Sequence, residues 1–322
     1  MGKREFKESV PQHVYCRGKD GNIIFYCIED CIFYITLYAC LAEKHGITTH
    51  AFSLMPNHTH AQQYARNLAS FLAFNGEMIS RFTRTYNIRH DRSGALFDSP
   101  FGSVPKSVGK HIKGNISYIC NNGAEGRLSK GVLDYRWNLV AYYRDKNPFS
   151  VRTRLNSASK RVRDAIKKVD FFRKRNKPLD YKAQDMIFKN LDKTARKQVI
   201  DYILTVYNFL DYDGMIMCFG SFEKAVAGME ANCGSEHDIK EDWDDYSVYS
   251  KLGKAVSGRG IDLLKVNFEN MPWDSLSELR TWLKKAVGAT DRQLDKFLHM
   301  TTRGAQRSGN QRETYSTPLG HR

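Results

Sequence analysis

The chain has 322 residues, of which 41% are hydrophobic and 12% aromatic. That is enough apolar material for a proper core, and the length suits two compact units rather than one. Fifty Lys and Arg against 35 Asp and Glu leave a formal charge of +15, a field that draws polyanions, with nucleic acid as the leading partner class and an anionic membrane surface second. No run approaches about 18 apolar residues, and the start, MGKREFKESVPQ, lacks the apolar stretch of a signal peptide, so a cytoplasmic, DNA-associated protein is expected, with no membrane partner.

In chain order, HVYCRG (13–18) and NIIFYC (22–27) read as short strands, rich in β-branched and aromatic residues with Gly and Asp between them. Asp30 is placed to cap a helix, CIFYITLYACLAEKHG, that stops at Gly46. Strands over about 48–55 and 59–64 follow, with Pro56-Asn57 as the turn between them. Asn67 opens a second amphipathic helix, NLASFLAFNGEMISRFTRTYNIR, and after the loop HDRSG an extended piece, ALFDSPFGSVP, leads to a third helix from about Ser107 to Asn122. Strand-helix-strand-strand-helix-strand is the ferredoxin-like arrangement, which predicts an α+β design with an antiparallel sheet covered by helices.

Beyond residue 150 strand signals fade. The segment 159–177, SKRVRDAIKKVDFFRKRNK, carries nine basic residues against two acidic ones, and its Phe171-Phe172 suits a helix with one apolar and one phosphate-facing side. Lys160, Arg161, Arg173 and Arg175 are its candidate DNA contacts, against the plain alternative of a solvated helix. The acidic stretch GSEHDIKEDWDDY reads as a boundary. Ser275–Glu278 and Thr290–Gln293 are both capping-box patterns, and the two helices that they open meet at Gly288. Leu279, Leu283, Ala286 and Val287 form one apolar stripe; Leu294, Phe297 and Leu298 form the other. The spacing resembles a helix-turn-helix, with Arg292 and Gln293 at the start of the recognition helix, although many helical hairpins share it. The predicted organisation is 1–150, a catalytic domain; 151–233, a basic helical region; 234–249, an acidic linker; 250–300, a DNA-binding region; and 301–322, a disordered tail.

The seven cysteines (16, 27, 31, 40, 120, 218 and 233) are odd in number and form no CxxC, which fits reduced thiols. Cys27 and Cys31, four apart, are a conceivable metal pair, or simply small buried thiols. The sharper signal is His58-Thr59-His60. On a strand, residues i and i+2 share a face, so two imidazoles would project together as divalent-metal ligands, unless the pair is a chance surface feature. Tyr118 and Asn122, four apart on the third helix, bring a phenol and an amide oxygen to one helical face. Tyr118 could equally be an ordinary half-buried tyrosine and Asn122 a helix C-cap. Arg81, Arg84 and Tyr86 could line a groove for single-stranded DNA, or belong to a solvated face. His13, His45, His50, His90 and His111 have no evident partners, so core or surface roles are expected for them.

Together these features resemble the single-tyrosine HUH transposases, and within them the REP-associated tyrosine transposases. The resemblance runs in order through His13 and Arg17-Gly18; Met55-Pro-Asn-His-Thr-His60; Gly94-Ala-Leu-Phe97 with Phe101 and Ser103; and Tyr118-Ile-Cys-Asn-Asn122, over roughly residues 10–145. It implies His58 and His60 as metal ligands with Asn122 as a third, Tyr118 as nucleophile, Arg17 as a DNA contact, Mg²⁺ or Mn²⁺ as the ion and no nucleotide cofactor. It also implies nicking and strand transfer on single-stranded, hairpin or palindromic-repeat DNA through a 5′-phosphotyrosine, by a monomer in preference to a homodimer. This chain departs from the family in having Thr59 between the histidines, Ala61-Gln62-Gln63 on the strand after them, and Asn122-Gly123 where Asn-Pro is common. Gln62 could therefore enter the metal site. The alternatives are a repeat-binding protein with little catalysis, and a metal phosphoesterase that uses water.

Overall fold

The computed structural model describes residues 4–152, 158–231 and 245–300. Strands β1 (Gln12–Arg17), β2 (Thr48–Met55), β3 (His58–Tyr64) and β4 (Gly102–Pro105) form one antiparallel sheet in the order β2-β3-β1-β4. Helix α1 (Ile28–His45) follows β1, and α2 (Leu68–Arg89) follows β3. The expected sequence of strands and helices is thus present, followed by α3 (Gly109–Glu125). Next come α4 (Lys160–Arg173), α5 (Tyr181–Phe188), α6 (Lys193–Val206), α7 (Tyr212–Phe219) and α8 (Phe222–Glu230). The last three helices are α9 (Ser247–Gly258), α10 (Trp273–Val287) and α11 (Asp291–Phe297). Among the described residues no helix is long and apolar enough to cross a membrane.

The strand alternation sorts side chains between two helical layers. Val14, Cys16, Phe52, Leu54 and Ala61 join α1 and α2 in the largest core, which extends through α1 into α4, α5 and α6. On the other face α3 packs with Ala51, α7 and α8. Farther along that face Met55 joins Tyr135, Ile23 and the α9–α11 helices in a third core.

Several local expectations change. Residues 22–27 form no strand: Ile24 N and Phe25 N both donate to the Pro56 carbonyl, each at 2.9 Å, so the segment crosses the β2–β3 turn and has no ladder to join. Asp30 is not the cap of α1. It is the third residue inside, where its carboxylate accepts from the backbone N–H of the cap residue Cys27 at 3.3 Å. Helix α3 runs to Glu125 with Gly126 as its cap, which overturns the C-cap role for Asn122. Helix α10 begins at Trp273 behind Pro272, which puts Ser275 inside the first turn, whereas the Thr290–Gln293 capping box is present. Asp245 and Tyr246 fall within the expected linker but dock against the protein, Tyr246 N donating to Gly126 O at 3.1 Å. The expected disordered tail, most of the acidic stretch and Cys233 lie outside the described residues.

Candidate functional site

Register places the polar residues of three strands on the face under α3. Tyr15 stands opposite His60 and Arg17 opposite His58 across β1–β3, while Ser53 and Met55 oppose the same two histidines across β2–β3. His58 and His60 therefore share a face, with ring centroids 4.9 Å apart. Helix α3 lies over them. The Tyr118 ring is 5.5 Å from His60 and 5.8 Å from His13, and it is only 1% exposed. One turn on, Asn122 is buried and its Nδ2 has no hydrogen-bond partner among the described residues. A further turn on, a Cβ at Gly126 would meet Met55 and Tyr246, which puts Asn122 between the His60 and Met55 levels of the sheet. The structure thus gathers His58, His60, Tyr118 and Asn122 as the sequence predicts.

His13 is a correction. It is neither a plain core histidine nor a surface one, because its Nε2 lies 3.0 Å from His60 Nδ1. The direction of this contact follows from the Ile112 carbonyl, which can only accept. Gln62 Nε2 donates to it at 3.1 Å and to Asn115 Oδ1 at 2.9 Å, so Asn115 Nδ2 is left to donate to His13 Nδ1 at 2.8 Å. A neutral His13 then donates from Nε2 to His60, and a neutral His60 holds its own proton on Nε2. His58 has the opposite polarity. Asn57 Nδ2 donates to the Gly21 carbonyl at 2.9 Å, and Asn57 Oδ1 accepts from His58 Nδ1 at 2.7 Å, which puts the lone pair on His58 Nε2.

The fit to a divalent cation follows from this polarity. His58 already has the outer hydrogen bond that a metal-bound imidazole uses. His60 gains a lone pair on Nε2 only if the relay runs the other way, with the Asn115 and Gln62 amides turned over. Among the described residues no group of three or more His, Cys, Asp and Glu side chains is arranged for a metal; the buried Asn122 amide, one turn from Tyr118, is the candidate third donor. The Cys27 and Cys31 thiols are pushed up by burial first and by Asp30 second, which opposes the thiolate that a metal needs.

Two aromatic residues complete the enclosure. The Tyr15 ring lies where a Cβ at Gly102 would be, and burial pushes its phenol up, with Cys16 adding to the effect. Tyr246, just before α9, sets its ring 5.8 Å from His58. The alternation of His13, Tyr15 and Arg17 on one strand, and the spacing of Asn115 three residues before Tyr118, were signals available in the sequence for three of these partners. Tyr246 had none, since it arrives from a distant segment.

The expected DNA contacts are scattered. Arg17 is on the site face, its guanidinium beside Gly21. Arg81 and Arg84 are exposed on α2, beneath the opposite face of the sheet, and Tyr86 is buried against His90 at 4.1 Å, so these three line no groove at the histidines. Lys160 and Arg161 are exposed on α4, which packs in the layer beyond α1. Arg173 ties α4 to Val206 O at 2.9 Å and to Glu43 at 2.8 Å, while Arg175 covers the Phe171 ring at 3.7 Å. Arg292 is exposed, but Gln293 is buried in its cap with Thr290 and cannot read a base. Beside them Asp291 and Asp295 pair with Arg280 at 2.8 and 2.9 Å. Leu279 and Leu283 are buried as expected, whereas Ala286 is exposed.

No protein-family model matches the chain, and neither a curated protein nor a solved structure is found to match it.

Proposed function

We propose that the chain is a metal-dependent DNA strand transferase of the single-tyrosine HUH kind, acting on single-stranded or hairpin DNA. The observation that carries this reading is the contact of Tyr118 with His60 and His13 on a face that also presents His58 and Asn122. The ferredoxin-like reading of the catalytic domain is supported by the antiparallel order β2-β3-β1-β4, and use of the tyrosine within one chain by the proximity of Tyr118 to its own histidines. The helix-turn-helix reading draws support only from the Thr290 cap and the turn at Gly288.

In this reading Tyr118 Oη attacks the scissile phosphorus and the bond to the 3′ oxygen breaks, leaving a 5′-phosphotyrosine and a 3′-hydroxyl. In net terms the phenolic proton replaces phosphorus on the departing oxygen. With the Asn115 and Gln62 amides turned over, so that His60 Nε2 carries a lone pair, His58, His60 and Asn122 would hold the cation, which polarises the phosphate when bound. Two imidazoles and one amide oxygen make a softer set than the all-oxygen shell that Mg²⁺ favours, so Mn²⁺ is the ion of choice for assay.

The burial of Tyr118 favours a second reading, a repeat-binding protein in which this face is structural. Labelled hairpin DNA with Mn²⁺ on a denaturing protein gel separates the two. A covalent band lost in Tyr118→Phe and in His58→Ala supports transfer. Binding without a band, equal in wild type and Tyr118→Phe, supports the repeat-binding role. Cleavage that survives Tyr118→Phe points to a hydrolase.

A further inference from the structure

A cleft opens next to this site, in the seam between the sheet layer and the C-terminal helices. One lobe of about 350 Å³ is lined by Phe25, Leu54, Tyr135, Arg136, Trp137 and Phe149, among others. A second lobe of about 250 Å³ shares Phe25, Cys31, Pro56 and Trp137 and adds Tyr246, Tyr249 and Phe297. Trp137 stands at the junction, packed against two separate cores. Exposed Asp134 and Ser250 mark the mouth.

Three features define the occupant. The walls are aromatic rings, together with the Arg136 guanidinium 4.8 Å over Phe149, and planar apolar walls suit a flat heteroaromatic body. The net charge of +15 draws polyanions to the molecule. Tyr246 lines the second lobe and also sets its ring 5.8 Å from His58, so the cleft and the histidine site share one wall. We propose that the cleft is a base-binding slot, which takes one unpaired nucleobase of the bound DNA strand and stacks it on Trp137.

This proposal rests on the reading of the protein as a DNA strand transferase, yet its test does not need cleavage. Binding is measured in the Tyr118→Phe background, on a DNA hairpin carrying a single-stranded cytidine extension in which each position is made abasic in turn. Trp137→Ala is expected to weaken binding by roughly five- to a hundredfold, the range of one base–aromatic stack, and Trp137→Phe to retain most of the affinity. One abasic position should cost the Tyr118→Phe chain the same factor and cost nothing further in Trp137→Ala. If Trp137→Ala has no effect, or lowers affinity alike for every abasic probe while thermal unfolding is unchanged, the slot is overturned and the transferase reading stands. If no Tyr118-dependent adduct forms but the coupling at one position is present, the transferase reading falls and the slot stands. No binding of the hairpin at low salt overturns the slot outright.

Discussion

Thr59 and Gln63 look misplaced as residues of a buried strand, and the partners that answer them lie on other elements. Both point to the face opposite the histidines. Thr59 Oγ1 meets Tyr34 Oη at 3.1 Å. Gln63 Nε2 donates to Tyr38 Oη at 3.1 Å, and Gln63 Oε1 accepts from Asn75 Nδ2 at 3.0 Å. Tyr38 Oη in turn meets Thr49 Oγ1 at 2.9 Å. A polar strand is tolerated here because α1 and α2 carry matching groups, and a buried network of this kind is costly only when broken on one side. Asn75→Leu alone should therefore lower stability by about 1–3 kcal/mol in urea unfolding, because it strands the Gln63 amide. The double change with Gln63→Leu should recover most of that loss; a double change as costly as the sum of the two single changes would count against the network.

At the scale of elements, α3 is set by where it can approach its neighbours. The Gly123 Cα faces the Tyr135 ring so closely that an added Cβ would overlap it, and Tyr135 cannot retreat, since its hydroxyl donates to Leu54 O at 2.5 Å. Gly123→Ala should thus lower the unfolding midpoint by the equivalent of about 1–3 kcal/mol, an overpacking cost. Gly114→Ala on the same helix meets nothing within 4 Å and should raise stability by roughly 0.5–1 kcal/mol through helix propensity. A helix shifted away from Tyr135 would erase the contrast in a thermal melt. A proline at 123 would cost a helical hydrogen bond as well, since α3 continues past Asn122 to Glu125. The helices, the Pro56-Asn57 turn and the histidine pair were legible because period, caps and turn residues are local signals. The loss of a strand at 22–27 was not legible, since local propensity does not say whether a neighbouring edge is available. Nor was the burial of Gln293, where one capping pattern serves equally a buried turn and a groove-facing helix.

For the molecule as a whole, the question is what keeps the C-terminal helices over the site, since they bring Tyr246 to His58. Their attachment combines the apolar core around Met55, Tyr135 and Ile23 with a set of polar contacts. Tyr26 Oη donates to Phe297 O at 2.5 Å, and the His299 ring nitrogens face Ile23 O at 2.8 Å and Glu269 at 3.0 Å. Arg92 reaches Glu269 at 2.6 Å from the loop after α2. Burial alone would raise the Glu269 carboxyl, but the hydrogen bonds from His299 and Arg92 and the Arg92 charge outweigh it and hold it at about 2. A carboxyl depressed in the folded state contributes its stability in full above its ordinary value of 4.5 and loses it as the pH falls toward 2. The wild type should accordingly melt above Glu269→Gln near neutrality, and the gap should close on acidification through that window. The wild-type fluorescence of Tyr and Trp at the seam should report the C-terminal helices loosening first. A gap that stays constant from neutral pH down to about 2 would mean that Glu269 is not the clasp, and the attachment would then rest on the apolar contacts of Tyr246, Phe268 and Phe297 alone.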